Sequence, residues 1–476
     1  MLGAMLSMES FVLSSAIFVA LYYKGDDVIP LVLSSLIMLT VGLSFFFIGK
    51  SGCNMHNVGR REGMITVCFT WIFYSLLGML PYYIGHYIPS ITDAFFETMS
   101  GYTTTGSTIL TDIESLPRGI LFWRSLTQWQ GGVGMIVFTV ALLPIIGGGA
   151  SSMYDAETPG ITHNRFLPRI GQVAKRIAGL YVLLTVILIG LLWTGPMSLY
   201  DAVNHAFTCI STGGYSTHNE SILYWHSPYI DYVISIFMLI GATNMTLIYF
   251  FFKGRFSKLF QDEEFKWYIL TVLGGLIILT GWLLSNHFCE IPEVAFRKAL
   301  FHVATLISTT GFGLGDYIPW GPFFWILALI LMFICGCAGS TCGGLKMGRF
   351  VILAKNLFNQ FKKETHPHAI IPVRMNNHVI PDEVVRRVLA FTFAYMSLII
   401  FSTVIMTING MGFIESFSAA ITAISNVGPA LGNLGPTSSF ADIPMISKWF
   451  LSFLMLVGRL EIFTVLTLLI PSFWKQ

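Results

Sequence analysis

Long apolar runs separated by short polar stretches dominate the hydropathy pattern of this 476-residue chain. Val28–Gly49 and Tyr232–Phe252 are each long enough to cross a bilayer core, which takes about 20 apolar residues in a helix. Because backbone amides must be paired inside the membrane, such runs predict helices and not open strands. The pattern therefore predicts an all-α membrane protein with ten transmembrane helices.

The predicted helices form two N-terminal spans, near 6–23 and 28–48, followed by one unit that occurs four times. Each unit contains an outer helix, a short re-entrant pore helix, a loop of Thr, Ser and Gly residues, and an inner helix. We predict outer helices near 64–84, 179–195, 267–288 and 388–408, pore helices near 93–103, 200–210, 294–307 and 415–424, and inner helices near 119–147, 230–252, 321–350 and 446–471. The chain then divides into the two N-terminal helices, 1–63, and four pore repeats around one central pore, 64–178, 179–266, 267–387 and 388–476.

Four short segments of nearly the same sequence mark this repeat. They read Tyr-Thr-Thr-Thr-Gly-Ser at 102–107, Ile-Ser-Thr-Gly-Gly-Tyr at 210–215, Ile-Ser-Thr-Thr-Gly-Phe at 307–312 and Ile-Ser-Asn-Val-Gly-Pro at 424–429. Their alignment gives one glycine position with spacings of 108, 97 and 117 residues, occupied by Gly106, Gly214, Gly311 and Gly428.

Four such loops in one membrane protein predict a cation filter. Backbone carbonyls can replace the hydration shell of a potassium ion, and glycine permits the torsions that aim them inward. Potassium is then the only ligand expected, with no catalytic residue and no organic cofactor site on this chain. The predicted potassium-binding residues are Thr104, Thr105, Gly106, Thr212, Gly213, Gly214, Thr309, Thr310, Gly311, Asn426, Val427 and Gly428.

The third inner helix contains a stretch that cannot form a stable helix. Between Cys335 and Gly344 it holds four glycines and no large side chain. Non-helical backbone at membrane depth survives only where it is buried or lines a cavity. The stretch is interpreted either as close helix packing by small residues or, as we favour, as a flexible gate below the filter.

Arg459 is a second candidate for the gate, because a charge inside the apolar run Trp449–Pro471 is costly without partners. Glu461 lies on another helix face, so we expect carbonyl or hydroxyl partners from the glycine-rich stretch instead. The candidate gate residues are Gly336, Gly339, Ser340, Thr341, Gly343, Gly344, Lys346 and Arg459.

The distribution of charge predicts the orientation. With both termini in the cytoplasm, the cytoplasmic stretches hold 19 of the 27 Lys and Arg residues, and the outer stretches hold six. This bias follows the positive-inside rule and places the filter loops outside. The polar stretch 349–387 is either a solvated connection or, together with Lys253–Lys266, a docking surface for a cytoplasmic protein.

Polar residues in the pore helices have simpler interpretations. Asp93 and Asp201 each precede a filter glycine by thirteen residues, which predicts that they cap the pore helices. His205 and His302 are interpreted as packed or hydrogen-bonded core histidines.

Three features carry a family resemblance: the fourfold unit, the Gly-Cys-Ala-Gly-Ser-Thr-Cys-Gly-Gly stretch at 336–344 and the ending Gly-Arg-Leu-Glu-Ile-Phe-Thr at 458–464. Together they resemble the Trk/Ktr/HKT superfamily of potassium transporters, in particular the membrane subunits of bacterial Trk systems. The resemblance implies a homodimer in the bacterial inner membrane, in contact with lipid, and a cytoplasmic ring that binds NAD or adenine nucleotides and regulates it. It implies no nucleic-acid partner. In that superfamily, glycine at all four filter positions accompanies potassium transport, and serine at the first accompanies sodium transport. Cys342 interrupts what is usually a run of three glycines.

Two alternatives stay open at this point. The first is a proton- or sodium-coupled potassium symporter of the same fold, since broken helices also occur in coupled transporters. The second, more remote, is an intramembrane aspartyl protease, because Gly313-Leu-Gly-Asp316 and Tyr200-Asp201 match the two motifs of that class. Such chemistry needs two facing carboxylates, whereas these two are predicted at the membrane surface.

Overall fold

Helices account for almost all of the regular structure in the computed structural model, which describes residues 1–50, 60–142 and 170–475. The predicted all-α membrane fold is confirmed. Six of the described helices are long and apolar enough to cross a membrane, and two bent helix pairs bring this number to eight. The number ten itself stays a prediction.

The two N-terminal helices, Leu2–Tyr23 and Val28–Lys50, form a tightly packed hairpin. A Cβ on Gly3 or Gly42 would lie under 3.0 Å from the facing helix, so small residues set this close approach. Asp27, in the turn between the helices, accepts a hydrogen bond from Ile120 N at 2.9 Å. The hairpin is therefore fastened to the start of the first inner helix.

Each of the four units contains an outer helix and a short pore helix, close to the predicted positions. The outer helices are Arg60–Gly78 (continued by Leu80–Ile84), Ile170–Trp193, Glu263–Ser285 and Asp382–Ile408. The pore helices are Ile91–Tyr102, Leu199–Ile210, Pro292–Ile307 and Phe413–Ser425. Turns of 3-10 helix follow three of the filter loops, at Ser221–Trp225, Ile318–Trp320 and Gly432–Leu434.

The inner helices differ from the prediction. Three of them are broken, whereas the sequence predicted a break only in the third. The first is described as far as Leu142, so the predicted residues 143–147 lie outside the described part. The four inner helices are Arg118–Leu142, Pro228–Gly241 with Met245–Phe252, Pro322–Ile334 with Met347–Thr365, and Met445–Arg459 with Ile462–Leu468. The prediction of continuous helices over 230–252 and 446–471 is wrong, since these two pairs bend by 109° and 120°.

Both unexpected breaks coincide with contacts from distant parts of the chain. In the second inner helix, Ala242 O accepts from Cys337 N at 2.8 Å, and Asn244 caps the next helical segment through Thr246 N at 2.8 Å. In the fourth, Glu461 has a φ of 64° and its carboxylate pairs with Lys346 and Arg349. Tertiary partners therefore hold the backbone at both breaks, and hydropathy alone carries no sign of them.

The end of the bundle remote from the filter loops carries short helices and a hairpin. They are the helices Phe256–Gln261 and Pro471–Trp474 and a two-stranded hairpin of β1, Arg374–Met375, and β2, His378–Val379. Arg374 pairs with Val379 and Met375 with His378. We call this end the basic side, after the residues 253–266 and 349–387 that form it.

Candidate functional site

The first two pore helices begin at serines and not at the predicted aspartates. Ser90 Oγ accepts from Asp93 N at 3.4 Å, and Ser198 Oγ accepts from Asp201 N at 3.1 Å. The prediction that Asp93 and Asp201 are the caps is therefore wrong, because the hydroxyl three residues earlier takes the free amide. The carboxylates lie in the first turn, where they still face the positive end of the helix dipole. Asp93 also pairs with Lys448 at 2.6 Å.

The four filter loops share one backbone conformation. The residue two positions before each shared glycine has a positive φ, as does the glycine itself, while the residue between them does not. This alternation turns successive carbonyls toward one side of the chain instead of opposite sides. The first set is Thr104 (52°), Thr212 (55°), Thr309 (56°) and Asn426 (56°); the second is Gly106 (87°), Gly214 (78°), Gly311 (79°) and Gly428 (104°).

Three of the four left-handed residues before the glycines are threonines, which makes the conformation informative. A residue with a Cβ loses about 1–2 kcal/mol in the left-handed region, and β-branched residues are rare there. Such strain persists only where the surroundings impose it, and it concentrates at functional sites. Because the same strain occurs in equivalent loops, we infer that the function of these loops depends on this backbone conformation.

The loops close into a ring in chain order. A Cβ added to each shared glycine would lie under 3.0 Å from the carbonyl oxygen of the residue that precedes the glycine of the next loop. The ring runs from Gly106 to Gly213 O, from Gly214 to Thr310 O, from Gly311 to Val427 O, and from Gly428 to Thr105 O. Four backbone carbonyls and four glycines therefore surround one narrow axis, and no side chain larger than hydrogen fits at the glycines without a shift.

The supports behind the loops are not equivalent. In the first and third loops a hydroxyl pair braces the backbone, with Thr103 Oγ1 2.8 Å from Thr105 Oγ1 and Ser308 Oγ 2.6 Å from Thr310 Oγ1. In the fourth loop, Asn426 Nδ2 donates to Thr105 Oγ1 at 2.9 Å. The irregular fourth loop is thereby tied to the first, which closes the ring.

The glycine-rich segment, defined as residues 335–346, lies directly against the base of the loops. Thr341 Oγ1 donates to Ile210 O at 3.2 Å, and Cys342 Sγ donates to Ser308 O at 2.9 Å. A Cβ on Gly343 would lie under 3.0 Å from Ser425 O. The segment therefore contacts the residues from which the second, third and fourth loops start, and it is almost entirely buried.

Arg459 completes this contact on the remaining side. Its Nη1 donates to Thr341 O at 2.6 Å and its Nη2 donates to Gly131 O at 2.8 Å. Gly131, on the first inner helix, abuts Tyr102 O at the end of the first pore helix. Arg459 is 1% exposed. The carbonyl partner expected from the glycine-rich segment is present, and the segment and Arg459 together lie under all four loops.

The break in the third inner helix is tied to the break in the fourth. Lys346, at a φ of 69°, donates to Glu461 Oε1 at 3.4 Å, and Arg349 Nη2 donates to Glu461 Oε2 at 2.6 Å. Glu461 thus pairs with Lys346 and Arg349 and not with its neighbour Arg459 in the described part of the chain. Of the predicted gate residues, Lys346 lies at this ion pair on the basic side, away from the loops.

Glu264 is a contact to the glycine-rich segment that the sequence analysis missed. Its Oε1 accepts from Ala338 N at 2.6 Å, and the side chain is buried. The adjacent Glu263 accepts from Asn376 N at 3.1 Å and also pairs with Lys355. The start of the third outer helix therefore holds the segment on one side and the polar hairpin on the other. In sequence, these two glutamates look like ordinary first-turn acids.

A buried ion pair behind the first loop was also missed. Arg124 Nε lies 2.7 Å from Glu97 Oε1, and both side chains are at most 2% exposed. Glu97 also accepts from Ile109 N at 2.9 Å, and Arg124 Nη1 donates to Ser216 O at 3.0 Å. The pair joins the segments that follow the first and second loops. A carboxylate inside an apolar pore helix was the signal that could have revealed it.

The two core histidines have the packed environments expected of them. His205 bonds to Asp201 O at 2.8 Å and to Ser216 Oγ at 2.9 Å. His302 is fully buried with its ring centroid 4.8 Å from that of Trp320. Asp316, in contrast, is exposed and accepts from Ile318 N. Asp201 is bound by Ser198 and Thr217, so the two aspartates of the protease alternative belong to separate surface turns.

The sequence of this chain is similar to those of known transport proteins. The family described as "Cation transport protein" (TrkH) matches residues 34–476. The chain belongs to this family. It is 38% identical over 420 residues to "Trk system potassium uptake protein TrkH" of Salmonella typhimurium. The aligned part covers 87% of this chain and 86% of the relative. It is 35% identical over 479 residues to the protein of the same name from Vibrio parahaemolyticus, over 100% of this chain and 98% of the relative.

A solved structure agrees with the sequence comparison. The crystal structure of the potassium transporter TrkH from Vibrio parahaemolyticus matches with a TM-score of 0.90 at 34% identity, over 99% of this chain and 98% of that chain. The predicted superfamily is confirmed. The protein is a multi-pass membrane transporter and not an enzyme, so the protease alternative is wrong.

Proposed function

We propose that this chain takes up potassium through a pore whose selectivity filter is the ring of four glycine loops. The closed ring of carbonyls at Thr105, Gly213, Thr310 and Val427 carries the proposal. Oxygens of this kind replace the hydration shell of a cation that must shed its water to pass. The relatives named as potassium uptake proteins support potassium as the ion.

Selectivity in this proposal depends on the absence of side chains at the four glycines. A Cβ at any of them would lie under 3.0 Å from a carbonyl oxygen of the next loop. Serine would therefore push that carbonyl away and supply a hydroxyl in its place, which changes the number and spacing of the oxygens around the ion. The proposed ligands are the three-residue sets 104–106, 212–214, 309–311 and 426–428.

The glycine-rich segment and Arg459 form the proposed gate. The segment lies under the filter loops, and Arg459 bridges it to Gly131 across the pathway. In this conformation the backbone blocks the path, and the positive charge opposes a cation below the filter. Release requires that the contacts of Thr341, Cys342 and Arg459 break together.

The family and the charge of the basic side support a proposal for the assembly. We place the basic side and both termini in the cytoplasm of a bacterium, with the protein in the inner membrane as a homodimer. A cytoplasmic ring that binds NAD or adenine nucleotides would dock on residues 253–266 and 349–387. Support for this comes from Asn376 and Glu263, through which the two stretches contact each other, and from Glu264, which links them to the glycine-rich segment.

Bi-ionic reversal potentials in a reconstituted bilayer test the proposal. The wild-type protein should prefer potassium over sodium, and Gly106→Ser and Gly311→Ser should each reduce this preference. Unchanged permeability ratios in both folded variants would refute the filter. Reversal potentials that follow proton or sodium gradients would show coupled symport by the same fold instead of channel-like flux.

A further inference from the structure

The second filter loop lacks the brace that supports its counterparts. The position before the shared glycine is Thr105 in the first loop and Thr310 in the third, and each hydroxyl pairs with the hydroxyl two residues earlier. In the second loop this position is Gly213, which has no side chain to pair with Ser211. Yet Gly213 O occupies the same place in the ring as the carbonyls of the other loops.

The side chain of Gln128, from the first inner helix, fills this space. Gln128 Nε2 donates to Gly213 O at 2.7 Å, and Gln128 Oε1 accepts from Tyr215 N at 3.1 Å. A single amide therefore holds the residues on both sides of Gly214. Gln128 is fully buried, and a Cβ on Gly213 would lie under 3.0 Å from its amide carbon. Gly213 and Gln128 are thus complementary in volume and in hydrogen bonding.

We propose that Gln128 is a positioning residue for the filter, which takes the part in the second loop that the Thr103–Thr105 and Ser308–Thr310 hydroxyl pairs take in the first and third. This inference rests on the proposed filter function. Gln128 donates to Gly213 O, the same oxygen that abuts Gly106, and a carbonyl oxygen with one such bond keeps a second lone pair for an ion. Its amide thereby fixes the distance of this carbonyl from the ion, while the ion itself touches only the backbone.

The structure suggests how the brace can be exchanged. Gly213→Thr would restore the hydroxyl pair with Ser211, but its side chain would displace the amide of Gln128 into a buried space without partners. Gln128→Ala would remove the brace and leave a cavity beside Gly213. The double variant Gln128→Ala/Gly213→Thr makes room for the threonine and supplies the hydroxyl brace that the third loop uses.

The test measures the potassium-to-sodium permeability ratio of purified, reconstituted protein. We expect each single variant to lower the ratio about fivefold, as the loss of one or two buried hydrogen bonds predicts. The double variant should return to within about twofold of wild type, since one brace replaces the other. Gln130→Ala is the matched control, because Gln130 lies on the same helix and makes no hydrogen bond to a described filter loop. It should match wild type.

Gly106→Ser in the same assay separates the two proposals. If Gly106→Ser lowers the ratio and Gln128→Ala does not, the filter stands and the role of Gln128 is refuted. If neither lowers it, the filter is refuted and the role of Gln128 with it. If Gln128→Ala does not fold, the double variant decides: a ratio near wild type supports the exchange of braces, and a ratio lowered fivefold or more overturns it.

Discussion

Replacing Arg459 with alanine should open the pathway in the absence of any partner protein. The guanidinium makes two hydrogen bonds that bridge the glycine-rich segment to the first inner helix, to Thr341 O at 2.6 Å and to Gly131 O at 2.8 Å. Both are made by a buried charged group, for which each bond stabilises by about 1.5–3 kcal/mol. If the open state lacks both bonds, their loss favours it by about 3 kcal/mol, or roughly a hundredfold.

The charge contributes separately from the bridge. A cation about 8 Å from the guanidinium is repelled by about 2 kcal/mol at an effective dielectric constant of about 20. That repulsion alone slows permeation by more than about tenfold. Since some of the gain is lost when the alanine variant relaxes, we expect basal potassium flux to rise by at least about tenfold.

Potassium-driven flux into proteoliposomes, measured without regulatory protein or nucleotide, provides the assay. Arg459→Lys is the informative companion, because it keeps the charge but cannot bridge two carbonyls in the same way. Flux that stays at the wild-type level in Arg459→Lys and rises in Arg459→Ala would assign the block to charge. A folded Arg459→Ala protein with wild-type flux would show that Arg459 does not block the pathway and that the segment is a packing element.

Three further predictions concern residues around the site. Glu264→Ala should raise basal flux several-fold, and Glu264→Gln should not, because glutamine can still accept from Ala338 N; equal flux in both variants would contradict the contact's role. Arg124→Ala should lower the free energy of unfolding by about 3–5 kcal/mol, since it leaves the buried Glu97 carboxylate unpaired. Denaturation in detergent would measure the free energy of unfolding, and a loss under about 1 kcal/mol would count against this role of the ion pair. The thermal midpoint should fall as pH rises above 6.5 through the pKa of His218, and His218→Gln should remove this slope.

The sign of the last prediction follows from the surroundings of His218. Partial burial alone would lower the pKa of this imidazole, but hydrogen bonds to Asp201 and Glu114 outweigh it and raise the pKa above 6.5. A pKa raised in the folded state gives stability that is complete at low pH and is lost as the pH rises. A midpoint that rises over that interval would contradict the assignment.

The features predicted from sequence are those that the repeat makes visible. The glycine positions, the pore helices before them and the unstable segment at 335–346 each have a local signature, and the structure places them together. Arg459 could be paired with that segment because a lone charge in an apolar run needs a polar partner.

The remaining features depend on contacts between distant parts of the chain. Partners from the third inner helix hold both unexpected breaks. After Gly241 they are backbone hydrogen bonds to Cys337 and Gly339, and after Arg459 they are ion pairs of Glu461 with Lys346 and Arg349. Hydropathy does not register such partners. Gln128 is one polar residue in a long inner helix, and its role could not be predicted because the sequence does not show that Gly213 lies beside it. The serine caps were missed because the carboxylates three residues on offered a more obvious charge.

The location of a bound ion shows whether the ring of four loops is the filter. Crystals or membranes prepared with rubidium, whose anomalous scattering distinguishes it from water, should show a peak on the axis of the ring. We predict a peak enclosed by the carbonyls of Thr105, Gly213, Thr310 and Val427, weakened in the Gly106→Ser protein. A peak elsewhere in the transport pathway, with none inside this ring, would show that the four loops are not the filter.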